Sequence, residues 1–231
     1  MKALIPNFFT SLNLCTGLVC LFLMLSDKYH TVYYLFFICL ISDYLDGFFA
    51  KKLNTTSDFG RELDSLADLV SFGVVPSFLI FTWLNQFEFL NNLKYFSILI
   101  VLFSAYRLAK FNSEESHLED FRGFPTPANS LLLFSLYYSS FFPFDFLTQF
   151  SMVFIIILSS LLMISEFRFF SLKFSNYSFK DNLEKFLIIF ISVVLILIKG
   201  FDSIYIIITI YILISLISKF FKRPNKHNIR D

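Results

Sequence analysis

Asp43-Tyr-Leu-Asp46-Gly47-Phe-Phe-Ala50-Lys51, continued after eight residues by Gly60-Arg61-Glu-Leu-Asp64-Ser65-Leu-Ala-Asp68, is a charged island between two long apolar runs. On a helix, Asp43, Asp46, Gly47 and Ala50 fall at i, i+3, i+4 and i+7, so two carboxylates and two small residues share one stripe. Gly60, Asp64 and Asp68 fall four apart and share a stripe on the helix that follows. Four carboxylates facing one another across two helices, close to a bilayer, repel and are costly to desolvate unless cations sit between them. Hard oxygen ligands suit magnesium or manganese, and a pair of such ions is a general device for phosphoryl transfer. An ion or proton transporter would also keep carboxylates within its membrane segments, so both classes stand at this point.

Around the island, the composition belongs to a polytopic membrane protein. Of 231 residues, 56% are hydrophobic and 20% aromatic, with 35 Phe against 6 Gly and 6 Pro, which is outside the range of soluble domains. The net charge of +1 carries little, because in a membrane protein the placement of charge matters more than its sum. Cys15, Cys20 and Cys39 lie in apolar runs without metal-ligand spacing and are expected to be inert, buried thiols. Lys2 precedes the first apolar run but no small-x-small cleavage site follows. That run is expected to be a retained helix serving as both signal and anchor.

Residues 3–9 are expected to form a short interfacial segment, followed by spans at 10–25, 32–49 and 63–83, the third bent by Gly73 and Pro76. Further spans fall at 93–109, 127–142, 147–165, 184–199 and 203–221, giving about eight transmembrane helices in an all-α fold, with six as the lower count. At about 1.5 Å per residue each crosses most of a hydrocarbon core of about 30 Å, the fifth and seventh barely. With a cytoplasmic amino terminus, sixteen of the 19 Lys and Arg fall on inner segments and only Lys28, Lys94 and Lys199 outside, so both termini are expected in the cytoplasm. The aspartates then face the cytoplasm as well, where nucleotides are found. Polar stretches at 112–122 and 173–181 and a basic tail from Lys219 complete the chain, the tail read as a solvated segment facing anionic lipid. His30, His117 and His227 fall in polar loops without a carboxylate partner, and no P-loop, dinucleotide fingerprint or Ser-His-Asp arrangement is present.

The aspartate island resembles the signature of the CDP-alcohol phosphatidyltransferase family, membrane enzymes that move a phosphatidyl group from a CDP-activated lipid to an alcohol. Every position agrees except Lys51, where the family usually has Arg; the charge is kept and the planar two-bond phosphate grip is lost. Arg107-Leu-Ala-Lys110-Phe-Asn112, the run Gly123-Phe-Pro125-Thr126-Pro127-Ala-Asn129, the continuation from Gly60 through Ser77, and Ile5-Pro6-Asn7 through Asn13 and Gly17 are similar to segments of its bacterial phosphatidylserine synthase subfamily. The specific resemblance covers about residues 5–130.

That resemblance implies a single membrane domain, 1–231, with a six-helix catalytic core over 1–170 and a two-helix extension with its tail over 171–231. It implies two magnesium or manganese ions held by Asp43, Asp46, Asp64 and Asp68, with Asp68 also the general base. Asp46, Gly47, Ala50, Lys51, Gly60, Arg61 and Ser65 would bind the nucleotide of the CDP-lipid, the glycines and alanine by letting it lie close to the helix backbones. Arg107 and Asn112 would bind the acceptor or a phosphate; Arg107 also suits a plain snorkelling anchor. The Gly-x-Pro-x-Pro run is expected to be a rigid loop shaping the pocket entrance. The substrates implied are CDP-diacylglycerol and L-serine, in the cell membrane with the site facing the cytoplasm, in a homodimer with no nucleic-acid partner. Glycerol 3-phosphate or inositol remains open as acceptor, since Arg107, Lys110 and Arg122 could meet a phosphorylated alcohol.

Overall fold

Two apolar helices joined by a four-residue turn open the chain: α1 (Leu4–Met24) and α2 (Tyr29–Lys52), antiparallel neighbours by the shortness of the link. The computed structural model describes residues 4–55, 57–87, 92–113, 121–139, 146–169 and 183–221. After α2 come α3 (Asp58–Asp68), a π-helical turn (Leu69–Val74) and α4 (Val75–Leu84), which run on as one apolar stretch. A 3₁₀ turn (Leu93–Ser97) leads into α5 (Ile98–Ser113), followed by α6 (Thr126–Tyr138), α7 (Phe146–Ile164), α8 (Leu183–Lys199) and α9 (Ile204–Phe221). Among the described residues, four stretches are long and apolar enough to cross a membrane: Leu4–Met24, Tyr29–Lys52, Asp58–Leu84 and Leu147–Ile164. They coincide with the first, second, third and sixth spans expected from sequence, as an integral membrane protein requires.

Lipid tails are as apolar as Leu, so helices in a bilayer associate by close packing rather than by escape from water. The packing here uses small residues where backbones approach. A methyl on Gly17 of α1 would stand 2.4 Å from the Ser71 hydroxyl of the π-turn, and one on Gly73 would stand 3.2 Å from Ser104 of α5. Around these approaches lies a core of stacked rings. Phe36 of α2 stacks on Phe134 of α6 at 3.7 Å between centroids and meets Phe72 of the π-turn edge-on at 6.1 Å. A second cluster, including Ile80, Trp83, Ile100, Leu133, Met152 and Ile156, ties α4 to α5, α6 and α7. On its margin α9 packs against α6, and Tyr211 stacks on Phe169.

Around Gly73 and Pro76, where the sequence predicts a bend, the helix takes a π-helical turn. Val75 N–H bonds back to the Val70 carbonyl, five residues earlier, and Pro76, which has no N–H to give, sits in the first turn of α4. Four details differ from the sequence reading. Residues from Leu4 on are already helical, because Pro6 falls in the first turn of α1, where its missing N–H is harmless. His30 lies in the first turn of α2, edge-on to Tyr34 at 5.1 Å, rather than in a loop. Cys15 is exposed on α1, and only Cys20 and Cys39 are buried. Among the described residues there is also one antiparallel strand pair, β1 (Phe121–Arg122) with β2 (Arg168–Phe169). His117, His227, Lys2, residues 173–181 and the tail beyond 221 lie outside the described residues.

Candidate active site

The turn between α2 and α3 sets the site. Lys51 and Lys52 close α2 where cations oppose the helix dipole, Asn54 takes a left-handed conformation (φ 50°), and Ser57 caps α3 by accepting from Gly60 N–H at 3.1 Å. This hairpin turns the Asp43–Ala50 stripe of α2 toward the Gly60–Asp68 stripe of α3. Carboxylate oxygens of Asp43, Asp64 and Asp68 lie within 4.8 Å of one another. Asp46, only 5% exposed, stands one turn along α2 and shares its electrostatic field with Asp64.

Between the two stripes is an open cleft of about 180 Å³, lined from α2 by Asp46, Gly47, Ala50 and Lys51 and from α3 by Gly60, Arg61 and Asp64. Its third wall is α1, through Pro6, Asn7 and Thr10. A methyl on Gly47 would meet nothing within 4 Å, so one wall of the cleft is bare backbone. Arg61 is exposed and pairs with Asp58, a surface contact of small energetic weight.

Six of the seven residues expected to bind nucleotide therefore line one cleft. Ser65 does not line it; its hydroxyl accepts from Asn112 Nδ2 at 3.0 Å, linking α3 to α5. Arg107 donates from Nη1 to Thr126 Oγ at 2.8 Å, its Nε is buried without a partner, and its charge attracts Asp68. The Gly-x-Pro-x-Pro run thus holds Arg107 through Thr126 at the start of α6, while Gly123 (φ 77°) packs against the Met163 carbonyl.

Asp46 Oδ2 and Asp64 Oδ1 are buried and accept no hydrogen bond. Lone pairs of buried carboxylates left open in this way call for a cation, and an all-oxygen donor set selects a hard divalent ion. The residues present therefore fit the expected metal site, with Asp43, Asp64 and Asp68 at its centre and Asp46 beside them.

Sequence reasoning assigned no role to Asn13. It is wholly buried in α1, and its Nδ2 donates to Asp68 Oδ1 at 3.3 Å. The signal was available as a polar line, Asn7, Thr10, Asn13 and Thr16, spaced three apart along an otherwise apolar helix.

Comparison with known proteins adds a family. The model of the family described as CDP-alcohol phosphatidyltransferase matches residues 3–164. A Helicobacter pylori protein named CDP-diacylglycerol–serine O-phosphatidyltransferase is 32% identical over 218 residues, 93% of this chain and 90% of that protein. Proteins of the same name from Methanocaldococcus jannaschii and Bacillus subtilis are 42% identical over 130 residues and 39% over 133. Each of these two matches covers 56% of this chain, with 58% of the archaeal protein and 72% of the Bacillus protein.

Proposed function

The chain belongs to the CDP-alcohol phosphatidyltransferase family, and on that premise we propose that it transfers the phosphatidyl group of CDP-diacylglycerol to L-serine and releases CMP. The observation that carries this reading is the convergence of Asp43, Asp64 and Asp68 beside a cleft with a bare backbone wall. Serine Oγ bonds to the phosphorus nearer the lipid, the bond from that phosphorus to the CMP phosphate oxygen breaks, and the hydroxyl proton passes to Asp68. Asp43, Asp46, Asp64 and Asp68 are the residues that would hold two magnesium or manganese ions. When bound, such ions neutralise charge on the pyrophosphate and on the departing CMP.

The rest of the chain binds and orients. Gly47, Ala50 and Gly60 leave the nucleotide free to lie against helix backbone, with Lys51 and Arg61 toward phosphate. Ser65 steadies Asn112, and Arg107, whose Nε–H has no protein partner, takes the serine carboxylate together with Asn112. Eight spans, both termini in the cytoplasm and a cytoplasmic site complete the reading, supported by the distribution of Lys and Arg. Residues 1–170 form the catalytic core and 171–231 an extension, and two copies assemble as a dimer. Single-cysteine labelling at Lys94 and Lys51 tests the topology: only the first is reached by an impermeant reagent from outside.

The acceptor is tested by CMP release from purified protein in detergent with L-serine, glycerol 3-phosphate or inositol as the sole alcohol. Release with serine alone is expected. Release with another alcohol keeps the family and overturns the acceptor, and no release with any of them returns the reading to a carboxylate-lined transporter.

A further inference from the structure

We propose that Asn13 is the positioning residue for Asp68, an inference that rests on the transfer reaction above and goes beyond it. Asn13 is 0% exposed in the middle of an apolar helix, with its Nδ2 on Asp68 Oδ1 at 3.3 Å. Its amide oxygen is buried and has no partner. The reverse orientation of the amide would set two oxygens face to face, so the charge on Asp68 fixes the N–H toward it. An acceptor left unpaired in the interior costs as much as a lost hydrogen bond, a cost that an apolar side chain would not carry. The amide is therefore placed for the donor it gives to Asp68.

The neighbours of Asp68 explain why a neutral donor serves there. Asp43 and Asp64 crowd it with like charge, and Arg107 draws it the other way. A lysine or arginine in the place of Asn13 would form a tight ion pair and take the carboxylate out of use. An amide N–H holds one oxygen and leaves the charge intact, so the second oxygen keeps one orientation toward the acceptor hydroxyl. The backbone beneath is anchored independently of the side chain. Ser71 Oγ donates to the Asn13 carbonyl at 3.0 Å, and Gly17, one turn on, lets the π-turn approach α1. Substitution at position 13 thus keeps the clamp between α1 and the segment that carries Asp68.

The test uses the whole chain in detergent, as wild type, Asn13→Leu, which keeps the branched shape but is bulkier, and Asn13→Ala, which is smaller. Serine-dependent CMP release is measured over a range of both substrates, Mn²⁺ affinity is read by electron paramagnetic resonance without substrate, and thermal unfolding is followed in parallel. The expected result is kcat lower by about 10- to 100-fold in both variants, with KM for CDP-diacylglycerol and the Mn²⁺ affinity within about twofold of wild type. Full kcat in either folded variant overturns the role. So does a loss of kcat that travels with weakened Mn²⁺ binding or lowered unfolding temperature in both variants, which would make Asn13 structural. A wild type that releases no CMP with serine sinks the transfer reaction, and this inference with it; an active wild type beside fully active variants sinks the inference alone.

Discussion

Gly47→Ala separates the space that substrate is proposed to fill from the space that the fold fills. Gly47 lies inside α2, and a methyl there meets nothing within 4 Å. Alanine in place of glycine in a helix interior is worth about 0.8–1 kcal/mol, here with no packing penalty to set against it. In a chain of this size that raises the unfolding temperature by about 2–4 °C. The same methyl stands in the cleft. A nucleotide lying against bare backbone is pushed off by a contact costing about 1–3 kcal/mol, which is about 5- to 150-fold in affinity. The assay pairs unfolding in detergent with CMP release at varied CDP-diacylglycerol, and the expected variant is more stable with a higher KM for that lipid. An unchanged KM would refute nucleotide binding on this face of α2. A lower unfolding temperature would refute the open cleft.

Other substitutions probe separate links. Gly17→Ala drives a methyl into Ser71 at 2.4 Å and disturbs its bond to Asn13, so a net loss of about 1–3 kcal/mol is expected in thermal unfolding, opposite in sign to Gly47→Ala. Gly123→Ala meets a left-handed backbone and the Met163 carbonyl at 2.2 Å; a loss above about 2 kcal/mol is expected by the same measurement, with lower activity as Thr126 shifts from Arg107. Asp64→Asn removes one of the crowded charges. Without metal the variant should unfold at a higher temperature than wild type, while the stabilisation that Mn²⁺ gives wild type, about 2.7 kcal/mol at one hundred times its dissociation constant, should shrink. Lys51→Arg restores a planar, two-bond phosphate donor in the cleft wall and should lower KM for CDP-diacylglycerol; an unchanged KM would remove Lys51 from the phosphate contact.

The aspartate hairpin was legible because its logic is local: fourfold spacing puts each pair on one stripe, and a short turn brings the two stripes together. An irregularity near Gly73 and Pro76 was legible for the same reason, although its form as a π-turn depends on how α4 resumes. Asn13 was harder to read. Its partner Asp68 is 55 residues away, and the packing of α1 on α3 and the π-turn joins them. The β1–β2 pair escaped because two-residue strands, Phe121–Arg122 and Arg168–Phe169, leave no periodicity to detect. Cys15 illustrates a limit of hydropathy in membrane helices: lipid-facing and core-facing positions are equally apolar, so apolar context did not tell it from Cys20 and Cys39. Ser65 was assigned by its place in the signature, and its side chain points instead to Asn112.

The most direct test of the carboxylate cluster as a phosphatidyl-transfer centre is the stoichiometry of products from CDP-diacylglycerol and labelled L-serine, in wild type and Asp68→Asn, with manganese or magnesium supplied. Wild type is expected to give CMP and phosphatidylserine in a one-to-one ratio, and the variant neither. CMP without labelled lipid, or an Asp68→Asn protein that turns over at the wild-type rate, would contradict it.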